Sequence, residues 1–292
     1  MLAYKNRPAM ASDTVLRRHM TLDGLVQTLA KQQLRLTRLD TFADPYEGSV
    51  PKQQIDDQLP LFSSRNVFFE GGMNPGMPAR LDLWTEMSLL RRAMTRSAHA
   101  SCWSAGHESE AMWRLYCRDS GVEGQGVAIE STLSALEASV EALELFVSPI
   151  AYRYYHTGPA FTDELDSFMH KRMGFSHEGE VRLLRFNKDQ YLSIANAVRA
   201  QAPEPTPLPE HVHIDWAVHA VVNRLVISPY ADEAYEKCVR DKVAAIDSAL
   251  VSKLDLSVLS ERRYAPKLLT LLAKRAKETP NTRCTRRPPV HS

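Results

Sequence analysis

The sequence predicts an α+β fold with a mixed, mostly antiparallel sheet and flanking helices, on three observations. Segments with apolar residues at helical spacing alternate with short apolar runs of strand character, without the regular spacing of a parallel crossover series. Clusters of Pro, Gly, Asn and Asp punctuate them. The 292 residues are 44% hydrophobic and 24% charged, enough for one large core or two modest ones and incompatible with disorder over most of the chain.

Taken in order, Leu22, Leu25, Val26 and Leu29 predict an amphipathic helix within 21–34, and Leu34-Arg35-Leu36 a short strand after it. The segment from Phe42 to Gly48 breaks regular structure, because Asp44-Pro45 favours a turn and Gly48 releases the chain from it. Residues 51–78 read as an irregular insertion ending in Asn74-Pro75-Gly76-Met77-Pro78, before a helix at 79–97. His99 to Ser104 reads as a strand, and Glu108 to Asp119 as a helix with Met112, Leu115 and Tyr116 on one face. A strand at Gly126–Glu130, a helix at 132–143, a strand at Leu145–Tyr154 and a helix at 160–173 follow. A polar helical stretch after Leu184 ends in a proline-rich insertion at 202–210. Val221–Ile227 has the character of a buried strand and Asp232–Ser252 of a long helix. The expected organisation is one domain over 1–276 and a basic, Pro/Arg-rich disordered tail at 277–292.

Composition narrows the function classes. A formal net charge of +1 suggests neither a nucleic-acid scaffold nor a binder of acidic membranes. Cys102, Cys117, Cys238 and Cys284 form no Cys-x-x-Cys pair, so neither a zinc ribbon nor a disulfide framework is indicated, and a reducing cytoplasm is the expected location. The first residues lack the apolar core of a signal peptide, and no run approaches the ~20 apolar residues of a membrane span. His211, His213 and His219 do not have the spacing of a zinc enzyme, and no metal site is expected from them.

The run Phe175 to Leu184 contains the most informative pattern, Glu178-Gly179-Glu180. On an extended strand two residues two apart face the same side, with Val181 and Leu183 alternating behind them. Paired carboxylates in one pocket separate their pKa values, an arrangement suited to holding a ribose hydroxyl while stabilising an oxocarbenium-like transition state. The competing reading is a solvated strand edge on which Arg182 pairs with Glu180.

Several segments together resemble the bacterial family catalogued as domain of unknown function 2971. They are Tyr4-Lys5, the Phe42–Glu47 loop, Ser101-Cys102-Trp103-Ser104, Glu108–Tyr116, Gly126–Ile129, Glu178–Arg182 and Val226-Ile227-Ser228-Pro229. The order of Tyr4, Lys5 and Arg7, then the central serines, then Glu178 and Glu180 is also similar, more distantly, to mono-ADP-ribosyltransferases. That likeness implies an ADP-ribosyltransferase-like fold with sheets around a cleft and NAD as substrate. It further implies ADP-ribosyl transfer to a protein or nucleic-acid acceptor, or NAD glycohydrolysis, in phage defence or a toxin system. Ser101 and Ser104 are three apart rather than two, and no early Arg or His stands where that family has one, Arg7 preceding a proline.

On this resemblance Glu180 stabilises the developing cation and Glu178 orients or deprotonates the acceptor. Tyr4, Lys5, Arg7, Ser101, Trp103, Ser104, Trp113, Tyr116 and Arg182 are the candidate dinucleotide contacts. Each has a plain alternative: Trp103 and Trp113 as core, Ser109 as a helix cap, Lys5 and Arg7 as solvated charges near a terminus, Asp44 and Glu47 as turn residues. Two other functions fit the same residues. One is a non-catalytic nucleotide-sensing or binding module. The other is a nuclease in which Asp44, Glu47, Glu178 and Glu180 gather around Mg²⁺.

Overall fold

A computed structural model describes residues 1–57, 88–89, 91–119, 121–200 and 202–263. Its first strand, β1 (Val15–Met20), hides its alternation because Leu16 is its one fully buried residue, Met20 packs only partly buried against the core, and Arg17, Arg18 and His19 stand between them. No periodicity in the sequence marks it. Helix α1 (Leu22–Lys31) begins where Thr21 accepts the Gly24 N–H at 3.2 Å and buries Leu22, Leu25 and Leu29. Gln32, in the left-handed region at φ 52°, ends it and starts β2 (Gln33–Arg38), whose Leu34 and Leu36 are buried.

From residue 98 onward come β3 (Ala98–Ala105), α2 (Glu110–Tyr116), the short hairpin β4 (Arg118–Asp119) and β5 (Val122–Glu123), β6 (Val127–Thr132) and α3 (Leu133–Ser139). Then follow β7 (Phe146–Pro149), β8 (Ala151–Arg153), the one-turn helix α4 (Asp166–Met169), β9 (His170–Arg172), β10 (Glu180–Phe186) and α5 (Lys188–Arg199). The described chain closes with β11 (His211–Asp215), α6 (Val218–Val221), β12 (Arg224–Ile227), α7 (Glu233–Ile246) and β13 (Leu254–Leu256).

Nine of these strands form one mixed, mostly antiparallel sheet in the order β11-β2-β3-β1-β6-β12-β13, with β10 and then β7 added beside β3. Its one parallel pair is β12 with β13. β10 occupies one edge of β3 along Ala98–Ser104, so β2 and β1 must share the other. β2 pairs only at His99 and Ala100, β1 only at Ser104 and Ala105, and the two strands fork apart between those points.

The alternation of β10 and β3 assigns their side chains to two faces. Val181, Leu183 and Trp103 join Leu16, Ile129 and the buried faces of α1, α3, α6 and α7 in the main core. The opposite face carries apolar patches at its ends, with Ala98, Ala100, Leu184 and Phe168 in one and Trp113, Cys117, Ala128 and Val226 in another. Between the patches Cys102, Ser104, Glu180 and Arg182 make a polar strip.

Several expected elements differ. The 160–173 helix is a loop, a single turn and β9, because Asp166 Oδ2 accepts the N–H groups of Thr162 and Asp163 at 2.9 and 3.0 Å and holds that segment out of the helix. The 145–154 strand divides at Ile150, since β7 pairs with β10 in the large sheet while β8 leaves it to pair with β9 in a separate two-stranded sheet. Val218–Val221 is helical before β12, and the 232–252 helix stops at Asp247, which caps a 3₁₀ turn through the Ala249 N–H. On α2, Met112 and Trp113 are buried, while Leu115 and Tyr116 face outward at 61% and 47% exposure. Residues 52–57 are helical where irregular chain was expected, 91–96 are helical as expected, and 202–209 have no regular structure. The rest of the 51–78 insertion, the start of the 79–97 helix and the 277–292 tail lie outside the described residues.

His19 packs edge-on against Trp113 with ring centroids 4.7 Å apart. Burial, assisted by Arg17, pulls its imidazole down to about 4. A depressed value means the neutral ring is favoured on folding, so this contribution is present above pH 6.5 and lost as pH falls toward 4. Urea unfolding at pH 7 and pH 4.5 is expected to show a loss of up to about 3 kcal/mol from this group, a loss that His19→Leu flattens.

Candidate functional site

The polar strip leads to an almost sealed network of charges. A 3₁₀ turn, Met173–Glu178, delivers the chain to Gly179, which sits at φ 50° and would bring a Cβ within 2.8 Å of Ala105 O. Only glycine fits that corner, so Glu178 ends a turn and Glu180 opens the strand. This corrects the expectation that both glutamates lie on one strand: they converge by turning a corner.

Arg182 is fully buried and organises the centre. Its Nε donates to Glu180 Oε1 at 2.7 Å, Nη1 donates to Glu47 Oε1 and to Phe168 O, both at 2.6 Å, and Nη2 donates to Glu47 Oε2 at 3.3 Å. Lys171 Nζ donates to Glu178 Oε2 at 2.6 Å and forms an ion pair of the same length with Glu180 Oε2. Tyr116 OH donates to Glu178 Oε1 at 2.6 Å, and the Glu180 N–H donates to Tyr152 OH at 2.7 Å. One chain of contacts therefore runs Glu47–Arg182–Glu180–Lys171–Glu178–Tyr116.

Three carboxylates share two cations here, so full ionisation would leave a buried excess negative charge. Burial would raise the Glu180 carboxyl, but Arg182 and Lys171 overcome it and bring Glu180 down to about 2. Glu47 moves the other way, since burial outweighs its pairing with Arg182. The two ends of the Arg182 fork are thus driven apart in proton affinity. Burial and Glu180 push the Cys102 thiol up, which keeps it protonated and unsuited to nucleophilic attack. Burial and the bond to Glu178 raise the Tyr116 phenol, favouring its role as a donor.

Beside this network lies an open cleft of about 1270 Å³ between the 45–56 segment, the 153–157 loop and the 172–174 corner. Arg172 joins the two. Its Nη2 donates to Asp44 Oδ1 at 2.7 Å while its guanidinium lies 4.1 Å from the Tyr46 ring centre and 5.2 Å from that of Phe175. Tyr46 and Tyr154 are 45% and 65% exposed on the rim, with Arg153 beside Tyr154. Glu178 and Glu180 do not line this cleft; they lie behind its wall.

Of the residues singled out in the sequence, Glu178, Glu180, Arg182 and Tyr116 come together in the network. Ser101 and Trp103 belong to the opposite sheet face, paired with Leu183 and Val181, so the expected meeting of Tyr4, Ser101 and Glu180 in one cleft does not occur. Ser104 is on the Glu180 face, but its hydroxyl donates to Arg17 O at 3.1 Å. Tyr4 is buried and donates to Asp166, Lys5 is exposed, Arg7 pairs with Glu137 at 2.5 Å, and Trp113 is core. Glu47, read from sequence as a turn residue, is 4% exposed and grips Arg182. Lys171 was invisible because it stood inside a segment of apparent helix. Asp44, Glu47, Glu178 and Glu180, the carboxylates of a magnesium site, each face a protein cation. Among the described residues no group of three or more His, Cys, Asp or Glu side chains is arranged to hold a metal.

Fold and site together define an α+β protein whose mixed sheet carries a buried carboxylate–cation network next to an aromatic, arginine-rimmed cleft. Comparison with family models, curated proteins and solved structures finds no match. Among the described residues no helix is long and apolar enough to cross a membrane.

Removing Arg182 strands two buried carboxylates, so Arg182→Met is expected to cost about 3–5 kcal/mol in chemical unfolding. Glu180, held below its ordinary value of 4.5, contributes stability that is present above that pH and lost as pH falls toward 2. Glu47, raised, acts with the opposite sign. Glu180→Gln should therefore flatten the acid limb of stability between pH 4.5 and 2, measured by urea titration across that range.

Proposed function

We propose that the protein is a binding or sensing module for an NAD-like dinucleotide, held in the cleft between Tyr46, Tyr154, Arg153 and Arg172. The observation that carries this reading is the placement of two half-exposed tyrosines beside two arginines along a cleft of about 1270 Å³. Aromatic faces stack on flat bases, and guanidinium forks match phosphate oxygens. The volume exceeds the ~300–1,000 Å³ typical of a pocket for a compact ligand, which favours an extended one. Net binding without chemistry is favoured because Glu178 and Glu180 are already neutralised by Lys171 and Arg182.

A second reading keeps NAD as substrate, with an ADP-ribosyltransferase-like fold and transfer to a protein or nucleic-acid acceptor, or glycohydrolysis. It is favoured by the convergence of Glu47, Tyr116, Glu178, Glu180 and Arg182, drawn from three distant stretches, in one network. In that mechanism Glu180, ionised at neutral pH, would stabilise the oxocarbenium-like charge, after Lys171 or Tyr116 moved aside to admit the ribose.

Titration with NAD, followed by thermal unfolding and by chromatography of nicotinamide, tests both. A saturable rise in melting temperature with intact NAD is expected, equivalent to about 2.7 kcal/mol at a hundredfold excess over Kd, and lost in Tyr46→Ala and Arg153→Gln. Nicotinamide release abolished by Glu180→Gln would replace the sensor with the enzyme. Absence of any shift and of any release would reject both.

A further inference from the structure

The fork between β1 and β2 opens a second, separate cavity of about 260 Å³, roofed by one flank of α1 and closed at its end by β11. Its charged lining is of one sign. Arg18 comes from β1, Lys31 from the last turn of α1, Arg35 from β2 and His213 from β11, with Gln27 and Thr37 adding neutral hydrogen-bonding groups. No carboxylate of the described residues lines it.

The chain elsewhere pairs its buried cations with care, as Arg182 and Lys171 illustrate. Arg18 is treated differently. Its Nη2 donates to Arg35 O at 3.0 Å, bridging the fork, while its Nη1 is shut off from solvent with no hydrogen-bond partner among the described residues. Arg35 points its guanidinium at the His211 ring, 2.9 Å from Nε2, and at no carboxylate of the described residues. Burial, with Arg35 close by, lowers the Arg18 guanidinium to about 10, the sign of a cation held without its counter-charge. Burial and the same basic neighbours, Lys31 and Arg35, also lower His213. Arg18, Lys31 and Arg35 thus bring three cations to one polar cavity, with Arg18 Nη1 still unpaired beside it, a set complementary to a tetrahedral oxyanion, which accepts several N–H bonds at once.

We propose that the β1/β2 fork is a binding site for a compact phosphate-type anion, free phosphate or the terminal phosphates of a larger molecule, held by Arg18 with Lys31 and Arg35. The cavity is smaller than the ~300 Å³ lower bound of pockets for drug-sized ligands, which suits a phosphate or pyrophosphate group and excludes a whole dinucleotide. This site stands independently of the tyrosine-rimmed cleft.

Calorimetric titration of the full chain with inorganic phosphate and with pyrophosphate, at constant ionic strength in chloride, tests it. Saturable binding at one site is expected, tighter for pyrophosphate. Lys31→Gln with Arg35→Gln, both at exposed positions where folding is undisturbed, should weaken it at least tenfold. Arg18→Met should do the same, whereas Arg153→Gln should leave it unchanged. No saturable binding, binding retained in the Lys31/Arg35 variant, or binding lost on Arg153→Gln instead would each overturn the assignment.

Discussion

Arg182 is the group on which the arrangement of the candidate site depends. A fully buried guanidinium is tolerable only if its donors are answered, and here the answers come from three places: Glu180 two residues before it, Phe168 O from α4, and Glu47 from a loop 135 positions away. Satisfying one charge therefore fixes the 42–48 loop against β10. Lys171 does the same for β9, since Glu178 and Glu180 both need it. The walls of the large cleft are extensions of these pinned segments, with Tyr46 one residue before Glu47 and Arg172 one after Lys171.

The same electrostatics constrain function. A carboxylate held near a pKa of 2 by two cations is a permanent anion, available for transition-state stabilisation yet poor at taking up a proton. Its burial excludes solvent and also excludes substrate while Lys171 and Tyr116 stay in place. The rim, by contrast, is open to solvent at Tyr46 and Tyr154, although Arg172 already covers one face of Tyr46 and pairs with Asp44. Binding in the cleft thus asks less of the fold than catalysis behind its wall. The two basic regions also differ in kind: Arg172 on the cleft rim has Asp44 as partner, whereas among the described residues the cations at the β1/β2 fork share their cavity with neutral groups and one another.

Much of the framework was legible in local pattern. The Leu22-Leu25-Leu29 stripe with Thr21 before it specified α1, and the alternation Val181-Leu183 against Glu180-Arg182 specified both the strand and the pairing of those two charges on one face. Local pattern misled where a side chain overrode backbone preference. Asp166 capturing two N–H groups turned the apparent 160–173 helix into a loop, one turn and β9, and it is β9 that carries Lys171 to the glutamates. Polar composition hid β1, because the sheet places Arg17 beside Glu130 and seals His19 against Trp113. Ser101 and Ser104, three apart, lie on opposite faces as that spacing requires, and only Ser104 shares the face of Glu180.

By itself the sequence determined the class of fold, the main helices and strands, and the placing of Glu180 and Arg182 on one face, because those follow from periodicities of two and 3.6 residues along a short stretch of chain. Tertiary structure alone decided that Glu47 and Lys171 complete the network, that the carboxylates sit behind the cleft, and that Arg18 is left facing a cavity without a counter-ion. The physical reason is range. Hydrophobic alternation is recorded between neighbours in sequence, whereas the partner of a buried charge is chosen by which distant segments the sheet brings within hydrogen-bonding reach.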